Sequence, residues 1–327
     1  MQIHRNLLRA HPWAEAGIAL TIGNFDGVHR GHQAMLALLT SEARHRSLPS
    51  CVLSFEPHPR DYFAARASAA GAPGGRSAPE RVATLRDKLA ELQHCGIQHV
   101  VVARFDERVA SLPAQAFIDQ VLVAGLHARY LLVGDDFRFG AQRTGTYAML
   151  DEAGVQQGFD VARMNSYEVH GLRVSSSAVR QALADGEMAR ASELLGRPYS
   201  ISGRVTRGRQ LGREIGFRTL NLRFGHPRPA TSGIFVVRVH GLAPQALPGV
   251  ASLGVRPTVE DGGRVQLETH CLQWPEGLGP EGGYGRCIRV DLLHKLHDEL
   301  KYASLQDLRE GIARDTEAAL RWHAAAL

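Results

Sequence analysis

The chain of 327 residues changes its hydrophobic pattern once along its length, and this change constrains the fold more than any other feature. From residue 17 to about residue 184, short β-rich apolar runs alternate with segments of helical periodicity, which predicts βαβ units and a parallel sheet. The predicted strands are IALTIG, CVLSF, HVVVA, YLLVG and DVARM. Beyond this region the runs are strands alone, separated by Gly/Pro turns, and they predict an antiparallel barrel.

The predicted barrel strands are YSISGRVT, GFRTLNL, IFVVRVH, GVASLGV, VQLETHC and CIRVDLL. A final helix opens at Ser304 and carries Leu305, Leu308 and Ile312 on one face, so we expect it to cover a barrel opening.

The domain boundary is expected near Asp185. The predicted fold class is therefore α/β: a doubly wound parallel-sheet domain over residues 1–185, then an antiparallel β-barrel with a terminal helix over residues 186–327.

The connections within the first half carry three further expectations. Residues 64–79 are small, Gly/Pro-rich and without apolar period, which predicts a loop. In FEPHP the prolines fix a turn, and His58 is expected to face solvent. Apolar residues recur at helical spacing after Pro79 and predict a crossover helix there. The apolar residues of this helix are Val82, Leu85, Leu89 and Leu92.

Composition narrows the functional classes. The net charge of +5 is spread without a Lys/Arg block, so anionic small substrates explain it as well as nucleic acid does. There is no basic-then-apolar leader and no apolar run near the roughly 18 residues that span a bilayer, so we expect a cytoplasmic protein without a membrane partner. The four cysteines lack the short paired spacing typical of zinc sites.

The segment GNFDGVHRGH, residues 23–32, follows the first predicted strand and opens a helix. In α/β sheets this turn binds phosphates through free backbone N–H groups. His29 and His32 are well suited to donate hydrogen bonds or positive charge to oxygens that gain charge during attack on phosphorus, with Mg²⁺ sharing that role. Taken alone, the pair is better explained as a stray metal pair or as two surface histidines at a helix end.

The arrangement G-x-F-D-G-x-H-x-G-H after a strand resembles the nucleotidylyltransferase superfamily, whose H-x-G-H signature binds ATP and transfers its adenylyl group. FEPHPRDYF, VGDDFRFG, RTGTYAML and VSSSAVR extend the resemblance to the FMN adenylyltransferase module of bacterial riboflavin kinase/FAD synthetases. The resemblance implies that His29 and His32 contact the ATP phosphates and that Asp136 lies near flavin and nucleotide. The residues that it implies contact adenine, ribose or triphosphate are Gly23, Asn24, Phe25, Gly31, Ser176 and Arg180.

The segment VSSSAVR also suits an anion without reference to a family, because serine hydroxyls, helix N-terminal amides and Arg180 all donate hydrogen bonds. The alternative is that Ser175 to Ser177 only cap the helix.

In the second half, three glycines precede an alternating strand, a composition typical of loops that approach phosphate, although such turns in barrels are often structural. They are Gly208, Gly212 and Gly216. The following residues resemble the flavokinase signature G-F-P-T-A-N-L, with Arg218 in place of Pro and Leu220 in place of Ala. Thr219 and Asn221 retain the oxygen ligands that Mg²⁺ prefers when it holds ATP.

Similarity to the riboflavin kinase module continues through LETHCL and LHDELKY. It implies that Glu268 takes the proton from the ribityl hydroxyl of riboflavin, the alternative being a polar residue on the outward side of a strand. Where the family reads L-R-x-E-x-K-F, His297 replaces the Arg near flavin and Glu299 is retained. The stretch around Trp274 departs from the family pattern, and its packing is left open.

These resemblances imply a bifunctional flavin-cofactor enzyme that phosphorylates riboflavin to FMN in the barrel and adenylylates FMN to FAD, releasing pyrophosphate, in the first domain. Both steps use ATP with Mg²⁺, and the expected partners are these small molecules, with no nucleic acid. Two alternatives stay open. One is an adenylyltransferase whose kinase-like barrel is inactive through Arg218, Leu220 and His297. The other is a basic nucleic-acid-binding protein that uses its barrel as a platform.

Overall fold

A computed structural model describes residues 1–7, 11–71, 78–169, 171–208, 216–225, 228–255, 265–279 and 281–326. The chain divides into two compact units. The first contains residues 1–79 and 89–174, and the second contains residues 80–88 and 175–327. A short segment from the first half of the sequence therefore packs with the second unit.

The first unit is built on a six-stranded sheet in the order β1-β4-β3-β2-β5-β6, and every neighbouring pair is parallel. All five predicted strands are confirmed, and the short edge strand β1 of this sheet was not predicted. The central strand β2 is buried along its whole length, as expected for a strand covered on both faces. The strands are β1 Gln2–His4, β2 Ile18–Ile22, β3 Ser50–Glu56, β4 His99–Arg104, β5 Ala128–Gly134 and β6 Asp160–Met164.

Helices connect these strands, and α1 packs on β2, β3 and β5. The helices are α1 Arg30–His45, α2 Pro59–Ala69, α3 Leu85–His94, α4 Glu107–Ala110, α5 Ala114–Ala116 and α6 Tyr147–Gln157. A π-helical turn, Phe117–Val123, continues α5. A two-stranded hairpin, β7 Glu168–Val169 and β8 Leu172–Arg173, follows β6.

Three local expectations were wrong. Residues 64–69 belong to α2, because alanine and arginine favour a helix even without an apolar stripe. His58 is buried, and its Nδ1 accepts a hydrogen bond from the Arg60 backbone N–H at the start of α2, so it is a helix cap. Val82 lies outside α3, which begins at Leu85.

The second unit contains a closed barrel in the strand order β10-β13-β12-β11-β14-β9, with β9 and β10 pairing to close it. All pairs are antiparallel, which confirms the prediction. Buried and partly exposed residues alternate along β9 and β13, so one side of each strand fills the barrel. The strands are β9 Tyr199–Thr206, β10 Thr219–Arg223, β11 Gly233–His240, β12 Leu247–Val255, β13 Val265–Cys271 and β14 Cys287–His297.

The described part of the second unit also contains the helices α7 Ser176–Ala184, α8 Met188–Leu195 and α9 Leu305–Ala325. The predicted terminal helix α9 is confirmed, but its expected position was wrong. It packs on β11 and β12, with Ala319 against Val236 and Val250. Leu305 is exposed, because the buried face of α9 is set by the small residues Gly311 and Ala319.

Residues 80–88 are held to the second unit by backbone and side-chain bonds. The Arg81 N–H donates to the carbonyl of Arg228, and the buried Asp87 carboxylate accepts from Thr84 Oγ1 at 2.7 Å and from the Ser202 N–H at 3.4 Å. Burial raises the pKa of Asp87. Periodicity alone did not reveal this attachment, because hydrogen bonds to distant strands leave no repeat in the sequence.

Within the described part of the chain, no helix is both long enough and apolar enough to cross a membrane. All four cysteines are free thiols.

Gly154 in α6 offers a test of packing in the first unit. A methyl group there would overlap the carbonyl oxygen of Phe159, so Gly154→Ala should lower the free energy of unfolding by about 1–3 kcal/mol. Helix propensity alone predicts the opposite sign, a gain of about 1 kcal/mol. Urea unfolding should be compared with Gln156→Ala, an exposed position of the same helix. A Gly154→Ala variant at least as stable as the parent would contradict the close packing.

Candidate active sites

The first candidate site lies where the order of the parallel strands reverses. From β2 the chain builds outward through β3 and β4 on one side, and β5 and β6 lie on the other. The connections at the carboxyl ends of β2 and β5 therefore diverge and leave a crevice, which is where open α/β sheets bind ligands. The turn of residues 23–29 follows β2 directly and leads into α1.

His29 and His32 meet at the N-terminus of α1. His29 is the N-cap residue, and its Nδ1 accepts the His32 backbone N–H at 3.3 Å. The two rings stack with their centroids 3.6 Å apart. Because Nδ1 accepts, a neutral His29 carries its proton on Nε2, which is the tautomer that donates a hydrogen bond from that atom.

The turn before His29 is conformationally strained. Phe25 and Val28 have φ values of 49° and 41°, a region that residues with a Cβ rarely adopt. The Phe25 ring is buried and lies 4.9 Å from the His32 ring, and it packs over Gly23, where an added Cβ would meet the ring at 3.0 Å. Phe25 thus supports His32 from the protein side.

Two further predicted residues lie in this turn and at the start of α1. The Asn24 Oδ1 is buried and has no hydrogen-bond partner among the described residues, so it is placed to accept a hydrogen bond from a ligand. Gly31 lies between the His29 ring and Tyr167, and a Cβ there would lie 3.3 Å from His29 and 3.4 Å from Tyr167.

Asp136 follows β5 and is mostly exposed, with its carboxylate 3.7 Å from Arg173. Its neighbour Asp135 accepts a hydrogen bond from Ser166 Oγ at 2.6 Å. This bond, helped by Arg173, lowers the pKa of Asp135. Asp135 is thus negative at neutral pH, at the carboxyl end of a strand next to β2.

The serine segment lies at the start of α7, in the second unit. Ser175 is the N-cap, with its Oγ accepting the Ala178 N–H at 3.1 Å. Ser176 is the first helical residue, and Arg180 Nη1 donates to Ser177 Oγ at 3.3 Å. Capping is therefore the role of Ser175, and anion binding by Ser176 and Arg180 stays a prediction.

An aromatic cluster at the carboxyl ends of β3 and β4 was missed by sequence reasoning. Phe105 contacts Phe55, Tyr62 and Phe63, all edge-on, with ring centroids 5.4–5.8 Å apart. Phe63 is 51% exposed, which is unusual for a large apolar side chain in such a cluster. The signal was present in the strings FEP, DYF and RFD, but their convergence depends on β3 and β4 being neighbours.

The second candidate site is the outer face of three barrel strands. In the strand register Glu268 of β13 lies opposite Asn221 of β10 and opposite Ser252 of β12. The flanking residues Leu267 and Thr269 are fully buried, so Glu268 points to the other side of the strand, away from the barrel core. Thr219 lies opposite His270 on this same face.

Gly208, which follows β9, lies against Asn221 on this face. A Cβ on Gly208 would overlap the Asn221 amide, so only glycine fits at this position. The Asn221 Oδ1 accepts a hydrogen bond from Gln266, and the side chain is buried. Gly216 has a φ of 89°, which favours glycine. Gly212 lies outside the described residues.

The two departures from the flavokinase signature have structural roles. The Arg218 guanidinium lies 4.3 Å from the centre of the Trp274 ring, a cation–π contact, and the Arg218 carbonyl is bonded to His270 Nδ1 at 2.7 Å. Leu220 is buried on the core side of β10. Trp274 therefore packs against the arginine that replaces the family proline.

At the end of β14, His297 is engaged at both ring nitrogens. Nδ1 lies 2.7 Å from the Asp298 carbonyl, and Nε2 lies 2.8 Å from the Asp315 carboxylate of α9. Glu299 accepts a hydrogen bond from Ser252 Oγ at 3.1 Å and lies against Gly254, where a Cβ would overlap its carboxylate. Sequence reasoning found His297 and Glu299 but not Asp315 or Ser252.

The described residues include no group of three or more His, Cys, Asp or Glu side chains that could hold a metal ion. A cation at the barrel site would therefore rely on hydroxyl and amide oxygens together with those of a nucleotide.

Comparison with known proteins identifies the family of both parts of the chain. A FAD synthetase family model matches residues 11–178, and a riboflavin kinase family model matches residues 195–323. A solved structure described as a macrolide-efflux protein of Streptococcus pneumoniae is similar in fold, with a TM-score of 0.75 and 25% identity, and the match covers 98% of this chain and 100% of that one.

Two relatives carry the name bifunctional riboflavin kinase/FMN adenylyltransferase. The protein from Escherichia coli strain K12 is 46% identical over 315 residues, which is 96% of each chain. The protein from Haemophilus influenzae is 41% identical over 320 residues, which is 98% of each chain. With both units and nearly the full length matched, this chain belongs to the bifunctional riboflavin kinase/FMN adenylyltransferase family.

Proposed function

We propose that this chain makes FAD from riboflavin in two ATP-dependent steps, the first at the outer face of the barrel and the second at the crevice of the parallel sheet. The observation that carries the proposal is that two family models match separate parts of one chain, and each part has its own cluster of predicted side chains. Full-length similarity to bifunctional relatives favours two activities over an adenylyltransferase with an inactive barrel.

In the adenylylation step, a phosphate oxygen of FMN attacks the α-phosphorus of ATP, and pyrophosphate leaves. Charge grows on the phosphate oxygens as this happens, and groups already oriented toward them lower the barrier most. His29 is held by its N-cap bond, and His32 is held by stacking on His29 and by a tilted ring contact with Phe25. Both imidazoles are thus pre-oriented at the positive end of α1, and we assign them to the ATP phosphates.

The aromatic cluster is the proposed platform for the flavin ring of FMN. Its exposed member, Phe63, offers a flat apolar surface in a cluster at the carboxyl edge of the sheet, the edge to which the crevice also belongs, and an isoalloxazine ring gains stacking energy on such a surface. We assign Asp136 to the polar side of the same site. Gly23, Asn24 and Gly31 are assigned to the nucleoside of ATP, with the buried Asn24 Oδ1 as an acceptor for it.

In the kinase step, the ribityl hydroxyl of riboflavin attacks the γ-phosphorus of ATP. Glu268 is the proposed base, because its carboxylate lies on the outer face between Asn221 and Ser252. Gly208 and Gly216 would let the loop backbone approach the phosphates, and Gly212 is assigned with them from the sequence pattern.

Thr219 and Asn221 fit a magnesium ion bound together with ATP. Both offer neutral oxygen ligands on one face of β10, and the Asn221 Oδ1 is held in place by a hydrogen bond from Gln266. When bound, the ion would offset the negative charge of the phosphates. A cytoplasmic location also stays a prediction.

The overall test is chromatography of riboflavin incubated with the full-length chain, ATP and magnesium. FMN should appear first and FAD after it. Conversion of supplied FMN without any FMN formation from riboflavin would establish the single-activity alternative.

His32→Ala should slow FAD formation from FMN by about 10²–10³-fold, because an oriented donor to the developing charge is lost. FMN formation from riboflavin should continue. His45→Ala, an exposed histidine at the other end of α1, serves as the control and should be silent. Unchanged FAD synthesis in His32→Ala would remove this residue from the site.

Phe63→Ala should raise the KM for FMN in the second step by about 5–10-fold, because one stacking surface, worth about 1–1.5 kcal/mol, is lost. The riboflavin KM of the first step should not change. Val155→Ala removes another exposed apolar side chain of the first unit and should alter neither value. If both variants behaved alike, the flavin platform would lie elsewhere.

Glu268→Gln keeps the size of the side chain but removes the base, so FMN formation should fall by about 10²–10⁴-fold. FAD synthesis from supplied FMN should stay intact. The exposed Glu276→Gln is the matched control. Loss of both activities with an unchanged melting temperature would point to one shared site.

A further inference from the structure

The loop between β14 and α9 is anchored to α9 at both ends. At its start, His297 bonds Asp315 of α9 at 2.8 Å. Toward its end, the Tyr302 ring lies across Gly311 of α9, where any Cβ would overlap the ring. Glu299 lies between these two anchors, so its position depends on how the loop is docked to α9.

His297 has only acceptors as partners in its two hydrogen bonds. The Asp298 carbonyl faces Nδ1, and the Asp315 carboxylate faces Nε2. A neutral imidazole carries one N–H and can donate only one of these bonds, whereas the protonated ring donates both. The observed geometry therefore fits the imidazolium ion, and the contact with Asp315 is then a charge-assisted bond.

Glu299 connects this loop to the kinase face, which is the outer face of β10, β13 and β12 that carries Glu268. Its carboxylate accepts from Ser252 Oγ at 3.1 Å, and Ser252 lies directly opposite Glu268 in the β12–β13 register. The carboxylate also lies directly against Gly254, which leaves it no room to move toward the strand. A shift of the loop would thus displace a charged group one strand away from the proposed base.

We infer that the His297–Asp315 ion pair is a positioning device for the kinase reaction: it holds Glu299 at the flavin site while His297 is protonated and releases it at higher pH. This inference rests on the proposed kinase function of the barrel. Riboflavin binding should weaken as the pH rises, whereas adenylylation in the other unit should not follow this change.

The charges around His297 come from three elements. Asp315 and its neighbour Arg314 lie on α9, and Tyr302 lies near Asp315. Lys295 lies on the same strand as His297, and Asp298 lies in the loop that follows it. These two residues form an ion pair with a distance of 2.6 Å. Ile234, opposite His297 on β11, brings no charge.

Burial by itself lowers the pKa of His297, but the bonds to Asp298 and Asp315 outweigh it and raise the pKa above the ordinary 6.5. Because its pKa is higher in the folded protein, protonated His297 stabilises the docked loop fully below about pH 6.5. This contribution is lost as the pH rises through the pKa that His297 has in the folded protein.

The test is the riboflavin KM and kcat of the full-length chain between about pH 6 and 9. In the parent, KM should rise on the alkaline side. Asp315→Asn should raise KM by about 10-fold at pH 6.5 and move the rise to lower pH, because a charge-assisted bond is lost. His297→Arg keeps the charge at every pH, so it should give a flat profile with low KM. His297→Gln should give a flat profile with high KM.

The matched control is Glu317→Gln, which removes an exposed carboxylate of α9 that pairs with Arg321. It should leave the KM profile unchanged, and FAD synthesis from supplied FMN should be the same in all variants. The inference is overturned if Asp315→Asn reproduces the parent profile, or if His297→Arg retains the alkaline rise in KM. A parent without any kinase activity would instead refute the proposed function.

Discussion

The register between β10, β13 and β12 is the constraint on which the kinase face depends. Because strand residues alternate between two sides, the pairing that buries Leu267 and Thr269 necessarily turns Glu268 outward. A slip of one residue in β13 would bury a carboxylate and expose the core. The energy of the core therefore also secures the position of the proposed catalytic carboxylate, and Asn221 and Ser252 are aligned with it by the same hydrogen-bond ladders.

The adenylylation site depends on a different constraint. Placing β2 in the middle of the sheet buries it completely and leaves the following turn at the reversal point of the strand order. That turn is held in an unfavourable backbone conformation at Phe25 and Val28 by the burial of Phe25 and by the His29 cap on α1. Tertiary packing thus stabilises a strained turn that brings two imidazoles together.

The His297–Asp315 contact illustrates how the two kinds of constraint combine. The barrel brings Glu299 beside Ser252, and the packing of α9 on β11 and β12 brings Asp315 within reach of His297. Where a family arginine would keep its charge at all relevant pH values, histidine makes the same contact dependent on protonation. The replacement of the family arginine by His297 is thus accompanied by a carboxylate partner, Asp315, on the terminal helix.

The sequence by itself determined most of the strands, their division into a parallel sheet and an antiparallel barrel, and the position of the histidine-bearing turn. These features are local: periodicity of two or 3.6 residues and turn chemistry act over a few neighbours. It misjudged α2, the burial of His58 and the docking of α9, because these depend on surroundings rather than on spacing. Only the tertiary structure decided that Phe63 joins Phe105, that Asp87 bonds the barrel strand at Ser202, and that Asp315 faces His297. The physical reason is that such contacts join residues far apart in the chain, and their energy depends on which strands and helices become neighbours.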